Sequence, residues 1–371
     1  MAKKRVFIIC GEASGDLHAA NLVKEWKLQD SNTEFKAWGG DRLLGEQVEV
    51  KKHIRELSFM GFVEVVKHLF TIYKNFRECK KFLTTYRPDA LILVDFPGFN
   101  LRMARWAKEH GMKVIYYISP QLWAWKQGRI KQVKKYVDHM YCILPFETAF
   151  YQKFNYTVKY FGHPLLDEVH RFRMENTPLD LGEKPVMALL PGSREQEIRR
   201  KLPIMLAAAR SFPEYQVVVA CSNQISEDLY NEFDLRDVRL IFGQTYGVLQ
   251  AAKIAAVTSG TATLETALFQ VPQVVCYRSN GLSYWIAKQV VKIRYISLVN
   301  LILNDRLVVE LIQHECTQER IQAELEKIIG DENYRNSMIS GYKRLTLELG
   351  NHGASRRIAQ SMLETFEGII K

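Results

Sequence analysis

No two of the six cysteines, Cys10, Cys79, Cys142, Cys221, Cys276 and Cys316, form a Cys-x-x-Cys pair. That spacing argues against zinc ligation and a disulfide framework, and several of the thiols fall inside apolar runs, where they read as buried and reduced. No apolar run is long enough to span a bilayer. The N-terminal Met-Ala-Lys-Lys-Arg passes straight into a strand-like run without a signal peptide, so the expected location is the cytoplasm, free or against a membrane. Acidic charge is scarce: 41 Asp and Glu oppose 51 Lys and Arg, a net charge of +10. Nucleic acid, an anionic membrane and phosphorylated substrates are the partner classes this admits. Neither a GxGxxG fingerprint nor an aspartate-rich metal box is present, and no cofactor or metal is expected.

What the chain does have is length for two domains, 371 residues, and an ordinary apolar fraction of 47%. Short apolar runs alternate with helical spacers, at Arg5–Cys10, Glu34–Trp38, Ala90–Val94, Lys113–Ile118, His139–Leu144 and Val158–Phe161. After a polar stretch with Pro178 and Gly182, the pattern resumes at Val186–Leu190, Gln216–Ala220, Arg239–Phe242, Ile254–Val257, Gln273–Tyr277 and Tyr295–Val299. Runs without alternation are strands buried on both faces, so the expectation is an α/β chain with two doubly wound parallel sheets. The domains expected are residues 1–170, 171–340 and a helical tail, 341–371.

Ligands of such sheets bind at the carboxyl ends of the strands, and the loops there are informative. The first run ends in Gly11-Glu12-Ala13-Ser14-Gly15-Asp16. Gly11, Glu12, Ser14 and Asp16 are candidate ligand contacts, with a capped turn as the alternative. Ala90–Val94 delivers Asp95, followed by Pro97-Gly98; an acid there suits chemistry or a helix cap. Trp123 and Trp125 lie among Lys126, Arg129, Lys131, Lys134 and Lys135, open to stacking, membrane contact or packing. His163, before Pro164, is a further candidate.

In the second half, Val186–Leu190 runs into Pro191-Gly192-Ser193-Arg194. Gly192 allows close backbone approach, Ser193 can cap or bind an oxygen, and Arg194 offers a fork suited to phosphate at a helix N-terminus. The bland alternative is a turn with a surface arginine. Ser259-Gly260-Thr261-Ala262-Thr263-Leu264-Glu265 repeats the arrangement. Ser259, Thr261 and Thr263 suit phosphate and Glu265 a ribose, or Glu265 closes a capping box. Asn300 follows the last expected strand as a substrate contact.

Between Leu57 and Phe82 the apolar face is unusually broad. Phe59, Met60, Phe62, Val66, Leu69, Phe70 and Tyr73 lie beside Lys67, Lys74, Arg77, Lys80 and Lys81. Such a face suits a membrane interface or acyl chains, or else a core.

Carboxylates and an apolar face in one half, with phosphate and ribose contacts in the other, suit a sugar-nucleotide enzyme with its site in an interdomain cleft. The chain resembles the bacterial lipid-A-disaccharide synthases over nearly its whole length. The matching stretches are Gly11–Asp16, Met60–Val65, Asp95–Asn100, Ser119–Trp125, Phe161–Pro164, Leu190–Arg194, Ser259–Glu265 and Ser297–Leu301. The resemblance implies an inverting, metal-independent glycosyltransferase of the B type, with two Rossmann-like domains facing a cleft and a helical tail returning to the first. It implies UDP-2,3-diacylglucosamine as donor and 2,3-diacylglucosamine 1-phosphate as acceptor. The implied place is the inner membrane's cytoplasmic face, held peripherally to its anionic leaflet, with a homodimer exchanging the C-terminal helices. Asp95 becomes the expected base with Glu12 as rival, since the family often carries a second aspartate where this chain has Gly98. Arg194 is then expected on the diphosphate with Gly192 and Ser193. Ser259, Gly260, Thr261, Thr263 and Glu265 are expected on phosphate and ribose, and Asn300 on the donor. A sugar-nucleotide epimerase, a nucleic-acid-binding protein and a lipid carrier are the rivals; no nucleic-acid module is visible.

Overall fold

The computed structural model describes residues 3–57, 69–175, 178–281, 284, 289 and 293–370. Phe59, Met60, Phe62 and Val66 lie outside them, and at Leu69 only the backbone is described. Among the described residues the chain forms two compact units. The first runs to Pro164 and resumes at His352; the second spans Leu165 to Asn351.

The first unit carries strands β1 (Lys4–Cys10), β2 (Thr33–Gly39), β3 (Glu49–His53), β4 (Ala90–Val94), β5 (Lys113–Tyr117), β6 (His139–Cys142) and β7 (Lys159–Tyr160). They form one parallel sheet in the order β3-β2-β1-β4-β5-β6-β7. Its helices are α1 (Ala13–Gln29), α2 (Asp41–Gly45), α3 (Leu69–Tyr86), α4 (Pro97–Glu109), α5 (Ile130–Tyr136) and α6 (Glu147–Gln152). The second unit holds helices α7 (Leu165–Glu175), α8 (Glu195–Ala209), α9 (Glu227–Tyr230), α10 (Thr245–Ala251), α11 (Thr261–Leu268), α12 (Leu298–Leu303), α13 (Gln318–Gly330) and α14 (Glu332–Leu349). Its strands are β8 (Val186–Leu190), β9 (Gln216–Cys221), β10 (Val238–Phe242), β11 (Ala252–Thr258), β12 (Gln273–Tyr277) and β13 (Glu310–Ile312), parallel in the order β10-β9-β8-β11-β12-β13. Helix α15 (Ala354–Ile370) belongs to the first unit.

The unbroken apolar runs are explained by burial on both faces. In β1, Val6, Ile8 and Cys10 pack into one core with Trp26 and the α15 residues Ile358, Met362 and Phe366. Phe7 and Ile9 point the other way, into a core with Leu83, Met103 and Ala104. Each large apolar side chain so buried contributes about 1.5–3 kcal/mol, and this fixes α15 on the first unit. Trp26 meets Phe366 edge-on at 6.2 Å, and Lys159 Nζ donates to Ser361 Oγ at 2.9 Å. The return of the tail is thus made by α15, while α14 stays with the second unit. All six cysteines are buried and free. Among the described residues no helix is long and apolar enough to cross a membrane.

The strand expected at Tyr295–Val299 is not one. Ser297 caps α12 there, accepting from the Asn300 N–H at 3.3 Å.

Candidate active site

In both sheets the strand order reverses once, between β1 and β4 in the first and between β8 and β11 in the second. In open parallel sheets, ligands bind outside the carboxyl ends of the strands at such a reversal. The sequence fills these four positions with Gly11-Glu12, Asp95-Phe96, Pro191–Arg194 and Ser259–Thr263.

In the first unit Cys10 pairs with Val94, so Glu12 and Asp95 emerge side by side. Asp95 and Phe96 both adopt left-handed backbone, at φ of 45° and 49°. For residues with a Cβ this costs about 1–2 kcal/mol each, and strain of this kind collects at functional sites. The elbow is held from behind. Tyr116 Oη donates to the Asp95 carbonyl at 2.6 Å and Asn100 Nδ2 to the same oxygen at 2.8 Å. Asn100 also donates to the carbonyls of Ile9 and Val94. Gly11 has a packing reason: a Cβ there would fall 2.4 Å from the Phe96 ring, which stacks on Phe99 at 5.6 Å. Burial, and then the negative charge of Glu12, push the Asp95 carboxyl up to about 7. A Cβ at Gly98 would meet open space, so nothing steric excludes a second carboxylate in that turn.

In the second unit Gly192 has φ of 128° and Arg194 is the N-cap of α8 with no side-chain cap of its own. Ser193 and Arg194 are exposed, and Arg194 Nη1 donates to Glu197 Oε1 at 3.2 Å. Gly260, at φ of 139°, is the N-cap of α11, again without a side-chain cap. Thr261 is exposed beside it. Ser259 Oγ donates to the Ile296 carbonyl at 2.9 Å. Glu265 does not close a capping box: Tyr246 Oη donates to its Oε1 at 3.2 Å. Burial pushes the Glu265 carboxyl up to about 7, with Glu168 adding to the shift. Among the described residues no three His, Cys, Asp or Glu side chains converge to hold a metal ion.

A sequence model of the family described as Lipid-A-disaccharide synthetase matches residues 6–364. The chain belongs to that family. Lipid-A-disaccharide synthase of Geobacter metallireducens is 38% identical over 372 residues, covering 97% of this chain and 97% of the relative. That of Nitrosococcus oceani is 39% identical, covering 98% and 96%. Among solved structures, UDP-GlcNAc 2-epimerase from Neisseria meningitidis, bound to UDP-GlcNAc, aligns with a TM-score of 0.66 at 13% identity, over 97% of this chain and 100% of that one. The calicheamicin glycosyltransferase CalG4 aligns at 0.62 and 16% identity over 99% of each. These likenesses show the fold shared by B-type glycosyltransferases and sugar-nucleotide epimerases. The family makes the chain a glycosyltransferase of lipid A biosynthesis.

Within this synthase family member, several expected contacts have structural partners instead. Asp16 is 2% exposed, and its two carboxylate oxygens accept from the N–H groups of Gly40 and Arg42 at 2.7 and 2.9 Å. It caps α2, a helix from elsewhere in the chain. Ser14 sits exposed in the first turn of α1. Thr263 is fully buried, its Oγ1 donating to the Gly260 carbonyl at 2.8 Å. Asn300 is also fully buried. Its Nδ2 donates to the Val308 carbonyl and Glu310 Oε1, both at 2.9 Å, and its Oδ1 accepts from the N–H groups of Leu307 and Val308 at 3.0 Å. With every amide position satisfied it braces α12 rather than facing a ligand. His163 is 1% exposed; burial and neighbouring His18 push its imidazole down to about 3, so it is a neutral core residue.

Other residues matter that the motifs did not single out. Glu147, 1% exposed, accepts from Trp123 Nε1 at 3.2 Å and from the N–H of Leu144 at 3.0 Å. It fixes Trp123, while Trp125 stays 38% exposed under the Lys126 ammonium, 4.3 Å from its ring centre. Glu310 gathers the Ile296 and Ser297 N–H groups and the Ser297 hydroxyl, and so supports the carbonyl that Ser259 reaches. Lys201 is buried below the β8 and β11 loops. An acid or amide ten or more residues from its partner leaves no periodic trace; only its occurrence inside an apolar face was available as a signal.

Proposed function

We propose that the chain transfers 2,3-diacylglucosamine from UDP-2,3-diacylglucosamine to the 6-hydroxyl of 2,3-diacylglucosamine 1-phosphate. Asp95 takes the hydroxyl proton as that oxygen attacks the anomeric carbon. The bond from that carbon to the diphosphate oxygen breaks, the configuration inverts, and the β-1,6-linked disaccharide 1-phosphate and UDP leave. The observation that carries this is the Asp95 carboxyl, pushed up to about 7 on a left-handed elbow at the strand-order reversal. A base working at neutral pH needs a pKa in that range. The negative charge of Glu12 raises the basicity of Asp95.

The first unit is the acceptor side and the second the donor side. Arg194, Gly192, Ser193 and the N–H groups opening α8 grip the diphosphate, helped by Ser259, Gly260 and Thr261 at α11. Charge developing on the leaving UDP is stabilised there by an arginine and two helix N-termini. Glu265, held by Tyr246, accepts the ribose hydroxyls. Phe70 and Tyr73 meet the acyl chains or the anionic inner leaflet, giving a cytoplasmic enzyme held peripherally at the membrane. Exchange of α15 between two copies is the proposed route to a homodimer, tested by light scattering.

The deciding measurement is UDP release from the donor with and without the acceptor, in chelator. Release that depends on the acceptor and survives chelation is expected. Release without acceptor, or none, would favour the epimerase or carrier readings, and a divalent-ion requirement would overturn the metal-free leaving-group account.

A further inference from the structure

Burying a lysine is costly unless its ammonium is paired and hydrogen-bonded, and Lys201 is 2% exposed. It lies on α8, and its Nζ donates to Thr258 Oγ1 at the end of β11. The same Nζ stands 3.7 Å from Glu197 Oε2. The other oxygen of that carboxylate accepts from Arg194 at 3.2 Å. One carboxylate is therefore shared by a buried cation and an exposed one, whose side chain is 49% accessible. Glu197 also lies directly against the β8 loop: a Cβ on Gly192 would fall 2.2 Å from its Oε2. Burial holds the Lys201 ammonium below its usual range, and the charge of Glu197 opposes that shift.

An uncompensated carboxylate under an anion-binding loop would repel the diphosphate and hold Arg194 away from it. We infer that Lys201 is a positioning residue for the donor: it neutralises Glu197 from inside, so that Arg194 can exchange this carboxylate for a diphosphate oxygen. Through Thr258 it also ties the β8 loop's helix to the strand that leads into Ser259–Thr263. The inference rests on Arg194 being a diphosphate ligand, as proposed above.

The test is the dissociation constant of UDP, by calorimetry, for Lys201→Met, Lys201→Arg, Glu197→Gln, the double variant Glu197→Gln/Lys201→Met, and Arg194→Ala. Lys201→Met should weaken UDP about tenfold, the scale of a lost charge-assisted contact, and raise KM for the donor more than it lowers kcat. Lys201→Arg keeps the charge and should keep the affinity. The double variant should regain it, because no carboxylate is left to neutralise. A merely structural lysine predicts a double variant as weak as Lys201→Met, and that result would overturn the inference. If Lys201→Met does not fold, Glu197→Gln decides alone: affinity should hold or rise, and a tenfold fall refutes the exchange. If Arg194→Ala leaves UDP affinity unchanged, the diphosphate reading itself is wrong. If Arg194→Ala weakens UDP and a folded Lys201→Met does not, only the role of Lys201 falls.

Discussion

Tyr116 Oη donates to the main-chain oxygen of Asp95 across 2.6 Å. The tyrosine is fully buried, and burial together with the Asp95 charge raises its hydroxyl well above the usual range, so it remains a donor. The bond reaches the backbone of the elbow and leaves the carboxylate alone. Tyr116 thus acts on where the carboxylate points, through the backbone and not through the carboxylate itself.

Tyr116→Phe should therefore separate rate from affinity. Asn100 still holds the Asp95 carbonyl, so the fold should lose only about 1 kcal/mol in urea melts. Turnover should fall about tenfold if the proposed base is misplaced, while UDP affinity, which the proposed donor site sets in the other unit, stays unchanged. A variant with full kcat would mean the elbow keeps its shape without the tyrosine.

The Asp95–Glu12 pair makes two linked pH predictions. Turnover should rise with pH and level off above about 7, where Asp95 ionises. Glu12→Gln removes the like charge, lowers the Asp95 pKa and should move that limb to more acid pH. An unmoved limb would mean that Glu12 does not act on the base. Stability runs the other way. Folded, the carboxyl titrates near 7, against 3.8 as the reference value. Between those values the folded state binds the proton and the unfolded state does not, so this group weakens the fold as pH rises through the window. Asp95→Asn should abolish turnover and melt higher than the parent by a margin that grows from pH 4 to 7 and then stays level.

Asn300→Ala should behave as a structural lesion. Four hydrogen bonds, two of them buried and two part-buried, end on that amide, and leaving such groups unpaired costs about 1–3 kcal/mol each before relaxation. A loss of roughly 2–4 kcal/mol is expected from the handful left unsatisfied, with donor KM unchanged in the folded fraction. A stable variant with a large KM increase would restore Asn300 as a donor contact.

Asn300 also shows where reading the sequence stops. Strands such as β1, β4, β8 and β11 are buried on both faces, so their composition is one unbroken apolar run and the loops after them are legible. That is why Glu12, Asp95, Arg194 and the Ser259 loop could be placed. The charged strand β3, Glu-Val-Lys-Lys-His, and the three-residue β13 lie at sheet edges, where no such run is required. A polar residue's role is set by its partner: Asp16 serves Gly40, Asn300 serves Glu310, Lys201 serves Thr258. Those pairings exist only once the chain is folded, and Asp16 and Asn300 in a ligand-like loop look the same as ligand contacts until then.

The last prediction concerns the apolar face. Phe70 is 91% and Tyr73 63% exposed on α3, whereas Phe76 on the same helix turns inward and meets Phe99 edge-on at 5.4 Å. The helix thus divides its aromatic residues between core and surface, and Lys80 sits over the inward Phe76 ring at 4.7 Å. Substituting exposed side chains changes stability by about 0.5 kcal/mol or less. Phe70→Ser with Tyr73→Ser should therefore leave the melting curve in place while weakening sedimentation with vesicles of mixed neutral and anionic phospholipid. Turnover on a water-soluble, short-acyl acceptor should be spared. Unfolding of the double variant would assign both rings to the core. Unchanged vesicle binding in a folded variant would remove α3 from the proposed membrane contact.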